Sequence, residues 1–234
     1  MKKSIGILGG MGPMATADLF QKITALTAAS CDREHIRIYI DSNPAIPDRT
    51  AAILEGGEDP LPAMTDALRH LEACGADCLI MPCNTAHYFL PRLQPLTEIP
   101  FLSMTETAAR RCRELHPGRT VGILATAGTL AAGIYQKALA AEGVPCLVPE
   151  PEEREALMQV IYGGVKAGAD PEQYRKPLET VLAALSRRGA DYFLPACTEL
   201  PLAFQSLGLA CPAVDPTLEL ARAAVLYCGY PVKE

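Results

Sequence analysis

Short apolar runs alternate with longer segments of helical spacing along the whole 234-residue chain. IGIL (5–8), IRIYI (36–40), CLIM (78–81), VGIL (121–124), PCLV (145–148) and YFLP (192–195) read as buried strands. Between them, residues 13–29, 60–73, 103–115, 128–142 and 171–188 carry helical periodicity, with Asp59-Pro60 and Asp170-Pro171 as starts. Alternation of this kind predicts an α/β protein of parallel sheets flanked by helices on both faces.

The pattern also repeats. Ile5-Gly6-Ile7-Leu8 matches Val121-Gly122-Ile123-Leu124 at an offset of 116, and Gly75-Ala76-Asp77 matches Gly189-Ala190-Asp191 at an offset of 114. Two halves of like order follow, read here as pseudosymmetric domains: 1–102 plus 213–234, and 103–212. The second offset carries Cys83, in IMPCNTAH, onto Cys197, in FLPACTEL. Each cysteine ends an apolar strand, behind a proline or alanine and ahead of polar residues. Two duplicated core residues would be the ordinary explanation. Against it stands their position, because ligands in open α/β sheets bind at the carboxyl ends of strands.

If the two halves face each other across a cleft, two thiols can flank one carbon, each at roughly 3 to 3.5 Å. Cys83 or Cys197 as thiolate takes a proton from one face while the other thiol donates to the opposite face, which inverts the centre. A helix N-terminus after each strand is expected to lower the thiol pKa. Asn84 and Thr85, and Thr198 and Glu199, supply hydrogen-bonding groups beside the sulfurs, either for substrate or as helix caps.

Composition narrows the field. With 49% apolar and 21% charged residues the chain has the makeup of a soluble globular protein, and a net charge of −6 without a basic tract argues against nucleic acid as a partner. Gly9, Gly10 and Gly12 interrupt the first apolar run before a signal-peptide core is complete, and no stretch approaches the roughly 20 apolar residues of a membrane span. A cytoplasmic protein is expected. Nine scattered cysteines then read as reduced thiols, and the Cys74, Cys78, Cys83 spacing fits no zinc pattern, so no metal site is expected. The loop Gly6 to Gly12 departs from the dinucleotide fingerprint, which weakens the rival reading of a non-catalytic, Rossmann-like binding protein.

Four motifs in order, GILGGMGP (6–13), SNPAIPDRT (42–50), PCNTAH (82–87) and ACTELP (196–201), resemble the cofactor-independent aspartate/glutamate racemase superfamily, and its aspartate branch most closely. The resemblance spans essentially the whole chain. It implies a homodimer without pyridoxal phosphate or other cofactor, acting on a small acidic amino acid, with Cys83 and Cys197 as paired acid and base. It also implies that Arg49, in a Pro-rich loop, and Lys166, in the Gly-rich stretch YGGVKAG, hold the side-chain carboxylate. Met11, Asn84, Thr85, Thr126, Thr198 and Glu199 complete the expected substrate contacts, whereas His87, one turn beyond Cys83, receives no role. Two departures set the chain apart from the glutamate branch: Gly9-Gly10 where that branch has Asp-Ser, and Thr198-Glu199 where it has Thr-His. A racemase of broader scope, or another thiol isomerase of the same fold such as a maleate isomerase, remains the nearest alternative.

Overall fold

The computed structural model describes residues 2–233. Its first elements are β1 (Ile5–Gly9), α1 (Pro13–Leu26), β2 (Ile38–Ser42), α2 (Arg49–Leu54), α3 (Leu61–Ala73), β3 (Cys78–Ile80), α4 (Leu90–Leu93) and α5 (Met104–Leu115). They are followed by β4 (Val121–Ala125), α6 (Ala127–Ala132), α7 (Ile134–Ala141), β5 (Cys146–Leu147), α8 (Pro151–Met158) and α9 (Glu172–Arg187). The last are β6 (Tyr192–Ala196), α10 (Glu199–Leu207) and α11 (Pro216–Tyr227). The chain divides into two compact units, Met1–Thr107 with Thr217–Glu234, and Ala108–Pro216.

The first unit holds a parallel sheet in the order β2-β1-β3. Strand alternation sorts its side chains into two layers. Ile5, Ile7, Cys78 and Ile80 pack with Leu19 and Ile23 of α1 and Leu220, Ala224 and Val225 of α11, whereas Leu8, Leu79 and Met81 pack with Met64, Leu68 and Leu71 of α3. Cys83 belongs to the α3 layer. The sulfurs of Cys78 and Cys228, both fully buried, lie 3.8 Å apart as free thiols in the opposite layer.

The second unit repeats the plan as β5-β4-β6. Val121, Ile123, Tyr192 and Leu194 pack with Cys112 of α5 and Tyr135 and Leu139 of α7, while Leu124, Phe193 and Cys197 pack with Leu157 of α8 and Leu178 and Val181 of α9. Register matches between the units: Ile5 pairs with Cys78 as Val121 pairs with Tyr192, the same residues that the sequence offsets align. The duplicated Gly-Ala-Asp also has a common purpose. Asp77 accepts the Ser4 N–H at 2.7 Å and Asp191 accepts the Thr120 N–H at 2.8 Å, so each aspartate ties the start of its strand to the backbone entering the central one.

Several elements differ from the sequence expectation. β2 begins at Ile38 and runs to Ser42, because its ladder follows β1 from Ile5 to Gly9, and it lies at the sheet edge rather than buried on both faces. The helix expected over 128–142 is two helices, separated by Gly133 in the left-handed conformation (φ 64°). The Gly-rich stretch at Lys166, outside the predicted helical segments, is the end of a π-helix over Gln159–Lys166 that continues α8. Its buried Val160 and Ile161 anchor it in the α8–α9 layer, and this packing overrides the poor helix propensity of Gly163 and Gly164. Helices α10 and α11 lay outside the predicted helical segments.

Candidate active site

Around Cys83, four pieces of the first unit come together. β3 ends at Ile80, and the chain passes through Met81 and Pro82 to Cys83, buried with Asn84 and Thr85 at the head of a 3-10 turn over Thr85–Phe89. His87 secures this turn. Its Nδ1 lies 2.9 Å from the Cys83 carbonyl oxygen, and its Nε2 lies 3.0 Å from the amide nitrogen of Met104, the first residue of α5. A carbonyl can only accept and an amide N–H can only donate, so the ring carries its proton on Nδ1. Burial lowers the His87 pKa to about 4, which keeps it neutral and suited to this pairing.

The glycine loop after β1 is shaped by close approach. Gly10 has φ +91° and a Cβ there would stand 2.3 Å from the Asn43 carbonyl carbon, so only glycine fits. Its N–H donates to Thr16 Oγ1 at 2.9 Å, which fastens the loop to the start of α1. Met11 is buried beside it, and its carbonyl accepts from Arg49 Nη2 at 3.3 Å.

Arg49 is not in a loop, as the sequence suggested. It is the first residue of α2, capped by Asp48, whose side chain accepts the Ala51 N–H at 2.9 Å. Nor is its side chain solvated: it is buried, and Nη1 donates to the carbonyls of Ile46 (3.1 Å) and Pro47 (2.9 Å). Three backbone acceptors thus set the direction of a planar guanidinium that presents donors in a fixed fork.

In the second unit, β6 delivers Cys197 directly to the N-terminus of α10. Cys197, Thr198 and Glu199 are all buried. Glu199 Oε2 accepts from Cys197 Sγ at 2.9 Å and from Thr198 Oγ1 at 3.1 Å, while Oε1 lies 3.8 Å from Lys166 Nζ. Lys166 also stands 4.5 Å above the ring of Tyr162, one helical turn earlier in the π-helix. Thr126, after β4, caps α6 by accepting the Thr129 N–H at 3.2 Å and donates to Thr129 Oγ1 at 3.0 Å.

One electrostatic expectation is overturned here. The helix N-terminus was expected to depress the Cys197 thiol, yet its pKa is raised well above the ordinary value. Burial is the largest cause, followed by the charge of Glu199 and the hydrogen bond to it, with Lys166 pulling weakly the other way. A nearby full charge in a buried setting outweighs the partial charge of a helix end. Sequence reading had grouped Glu199 with the substrate contacts; its carboxylate instead points at the thiol two residues before it.

The expected residues thus gather in two groups: in the first unit, Arg49 hydrogen-bonded to Met11, with Met11 and Cys83 in one core layer and Asn84 and Thr85 following Cys83; in the second unit, Lys166, Cys197, Thr198 and Glu199, with Thr126 at the neighbouring strand end. Two supporting residues, Thr16, which locks the glycine loop, and Tyr162, which lies under Lys166, escaped the sequence reading, and His87, named there without a role, ties Cys83 to α5. The i,i+4 spacing of Tyr162 with Lys166 was a signal for their contact, and it becomes informative only once Gln159–Lys166 is known to be helical.

Residues 8–224 match the family model described as Asp/Glu/Hydantoin racemase. The chain is 28% identical over 233 residues to the broad specificity amino-acid racemase RacX of Bacillus subtilis, covering 97% of this chain and 99% of that protein. It is 30% identical over 155 residues to the glutamate racemase of Corynebacterium kroppenstedtii, covering 62% of this chain and 49% of that one. Among solved structures, the aspartate racemase of Picrophilus torridus superposes with a TM-score of 0.87 at 31% identity, over 99% of this chain and 96% of that one.

Proposed function

We propose that this chain, which belongs to the Asp/Glu/hydantoin racemase family and is an isomerase of the racemase type, interconverts L- and D-aspartate without a cofactor, using Cys83 and Cys197 as its two proton-transfer groups. The observation that carries the reading is positional: by the register that aligns β1 with β4 and β3 with β6, a buried cysteine stands in the corresponding layer of each unit, just beyond β3 in one and β6 in the other. Likeness across almost the full length to an aspartate racemase supports the choice of substrate.

In this mechanism one sulfur, as thiolate, takes the Cα proton, and the electron pair left behind delocalises into the α-carboxylate. The other sulfur, as thiol, then protonates Cα from the opposite face. Protonation states exchange in the process: the sulfur that began as base ends as thiol, its partner as thiolate, and solvent resets the pair after product leaves. Asn84 and Thr85, with the Met11 loop, supply hydrogen-bond donors that favour the charge developing on the α-carboxylate, while the Thr126 and Thr198 hydroxyl oxygens, whose protons go to Thr129 and Glu199, accept from the substrate ammonium. The cations Arg49 and Lys166 hold the side-chain carboxylate, Arg49 through its fixed fork.

Likeness to RacX over 97% of the chain favours a second reading, in which the side-chain subsite also admits other amino acids. Incubation with L-aspartate in deuterated water, without added pyridoxal phosphate, tests both. D-aspartate carrying deuterium at Cα is expected, and Cys83→Ser and Cys197→Ser should each lower racemisation by about 10²- to 10⁴-fold. Chiral analysis over a panel of amino acids separates the two readings by which substrates turn over. Absence of Cα exchange with every acidic amino acid would refute the proposal.

A further inference from the structure

The two cysteines have unequal surroundings. Glu199, two residues after Cys197, corresponds by the repeat to Thr85, two residues after Cys83, so a carboxylate in one half replaces an uncharged hydroxyl in the other. At 2.9 Å, Cys197 Sγ and Glu199 Oε2 are close enough that a proton must lie between them, because a thiolate and a carboxylate at that distance would repel. Thr198 adds a second hydrogen bond to the same carboxylate oxygen at 3.1 Å. Both bonds present donors to Oε2, which makes it the acceptor of the pair.

We propose that Glu199 is a positioning residue that fixes the resting protonation of Cys197, holding a proton on Sγ so that this half presents a proton donor before substrate arrives. The inference rests on the racemase reading above and deepens it, since it gives the two cysteines different starting roles. Turnover in the direction that needs Cys197 as base must first remove this proton, whereas the reverse direction uses it directly. Other titratable groups near the pair act in opposite senses. Lys166, on the π-helix and 3.8 Å from Glu199 Oε1, favours the thiolate; Tyr135 of α7, itself buried with its pKa raised in part by Cys197, does not offset Glu199 while it is neutral. Burial of Cys197 acts with Glu199 and holds the thiol pKa high.

The test is the ultraviolet absorbance of the Cys197 thiolate as a function of pH, taken as the difference between each protein and its Cys197→Ser counterpart. Glu199→Gln should move the titration to lower pH by about one unit, a tenfold rise in thiolate fraction at pH values below the midpoint. Glu199→Asp, which keeps the charge, should restore most of the parent curve. Lys166→Met should move the curve upward and supplies a second reading should Glu199→Gln fail to fold. An unchanged or upward-shifted curve in Glu199→Gln, an equal downward shift in Glu199→Asp, or a downward shift in Lys166→Met would overturn the proposal. Because the readout requires no substrate, loss of the racemase reading would show as missing Cα exchange with the titration shift intact. Loss of this inference would show as the converse.

Discussion

His87 Nδ1 donates to the carbonyl oxygen of Cys83 across 2.9 Å, in a setting so buried that the ring stays neutral down to about pH 4. Its other nitrogen accepts the Met104 N–H, one of the amides that a helix start leaves without an intrahelical partner. A single side chain thereby joins the turn carrying the candidate acid/base cysteine to the start of α5.

Replacing that side chain tests the link. His87→Ala removes both hydrogen bonds and orphans a buried N–H, at a cost of about 1–3 kcal/mol for the unsatisfied donor. Urea denaturation should report a midpoint lowered accordingly, and kcat should fall because the Cys83 turn loosens. A stability change within about 0.5 kcal/mol of the parent would mean that the bonds contribute little.

The same residue predicts an acid response. Its pKa is lowered from 6.5 to about 4 on folding, so between those values the unfolded chain binds a proton that the folded chain does not. Stability from this group is therefore fully present above about pH 6.5 and is lost as the pH falls toward 4, by about 3 kcal/mol in all. Denaturation curves over that window should show the slope in the parent and a reduced one in His87→Gln.

Arg49 should discriminate between substrates. Its guanidinium is aimed by the carbonyls of Met11, Ile46 and Pro47, so Arg49→Lys supplies the charge without the fork. Arg49→Ala should lower kcat/KM for aspartate at least tenfold more than for alanine, and Arg49→Lys should recover only part of it. Equal losses on both substrates would reduce Arg49 to a structural role.

Gly133 separates α6 from α7 in a conformation that costs other residues about 1–2 kcal/mol. Gly133→Ala should therefore destabilise the second unit by about that amount, visible as a lower thermal midpoint, and Gly133→Asn by less. Stabilisation by alanine would mean that the two helices can run together as one.

Much of the fold could be read from the one-dimensional pattern. The six strands among the described residues were located, at most two residues out of place: β1, β3, β4 and β6 because a strand buried in a parallel sheet is short and apolar throughout, and the half-buried edge strands β2 and β5 because their runs are rich in Ile, Val and Leu. The repeat was legible for a related reason. The offsets of 116 at β1 and 114 at β3 carry the β1–β3 pairing of one sheet onto the β4–β6 pairing of the other, and register is imposed by the side-chain period of two.

Other features depended on contacts distant in sequence. The π-helix forms because Val160 and Ile161 have a core to enter, which outweighs two glycines that locally argue for a loop. β2 extends to Ser42 only because β1 offers partners that far. At the candidate site, the sequence by itself determined which residue types are present: two cysteines in register beyond their strands, an arginine, a lysine and a glutamate. Tertiary structure decided what those groups do to one another, since the sign of a buried charge's effect depends on the few ångströms between it and its neighbour. Glu199 beside Cys197 follows from how β6 meets α10, and that junction turned an expected thiolate into a thiol.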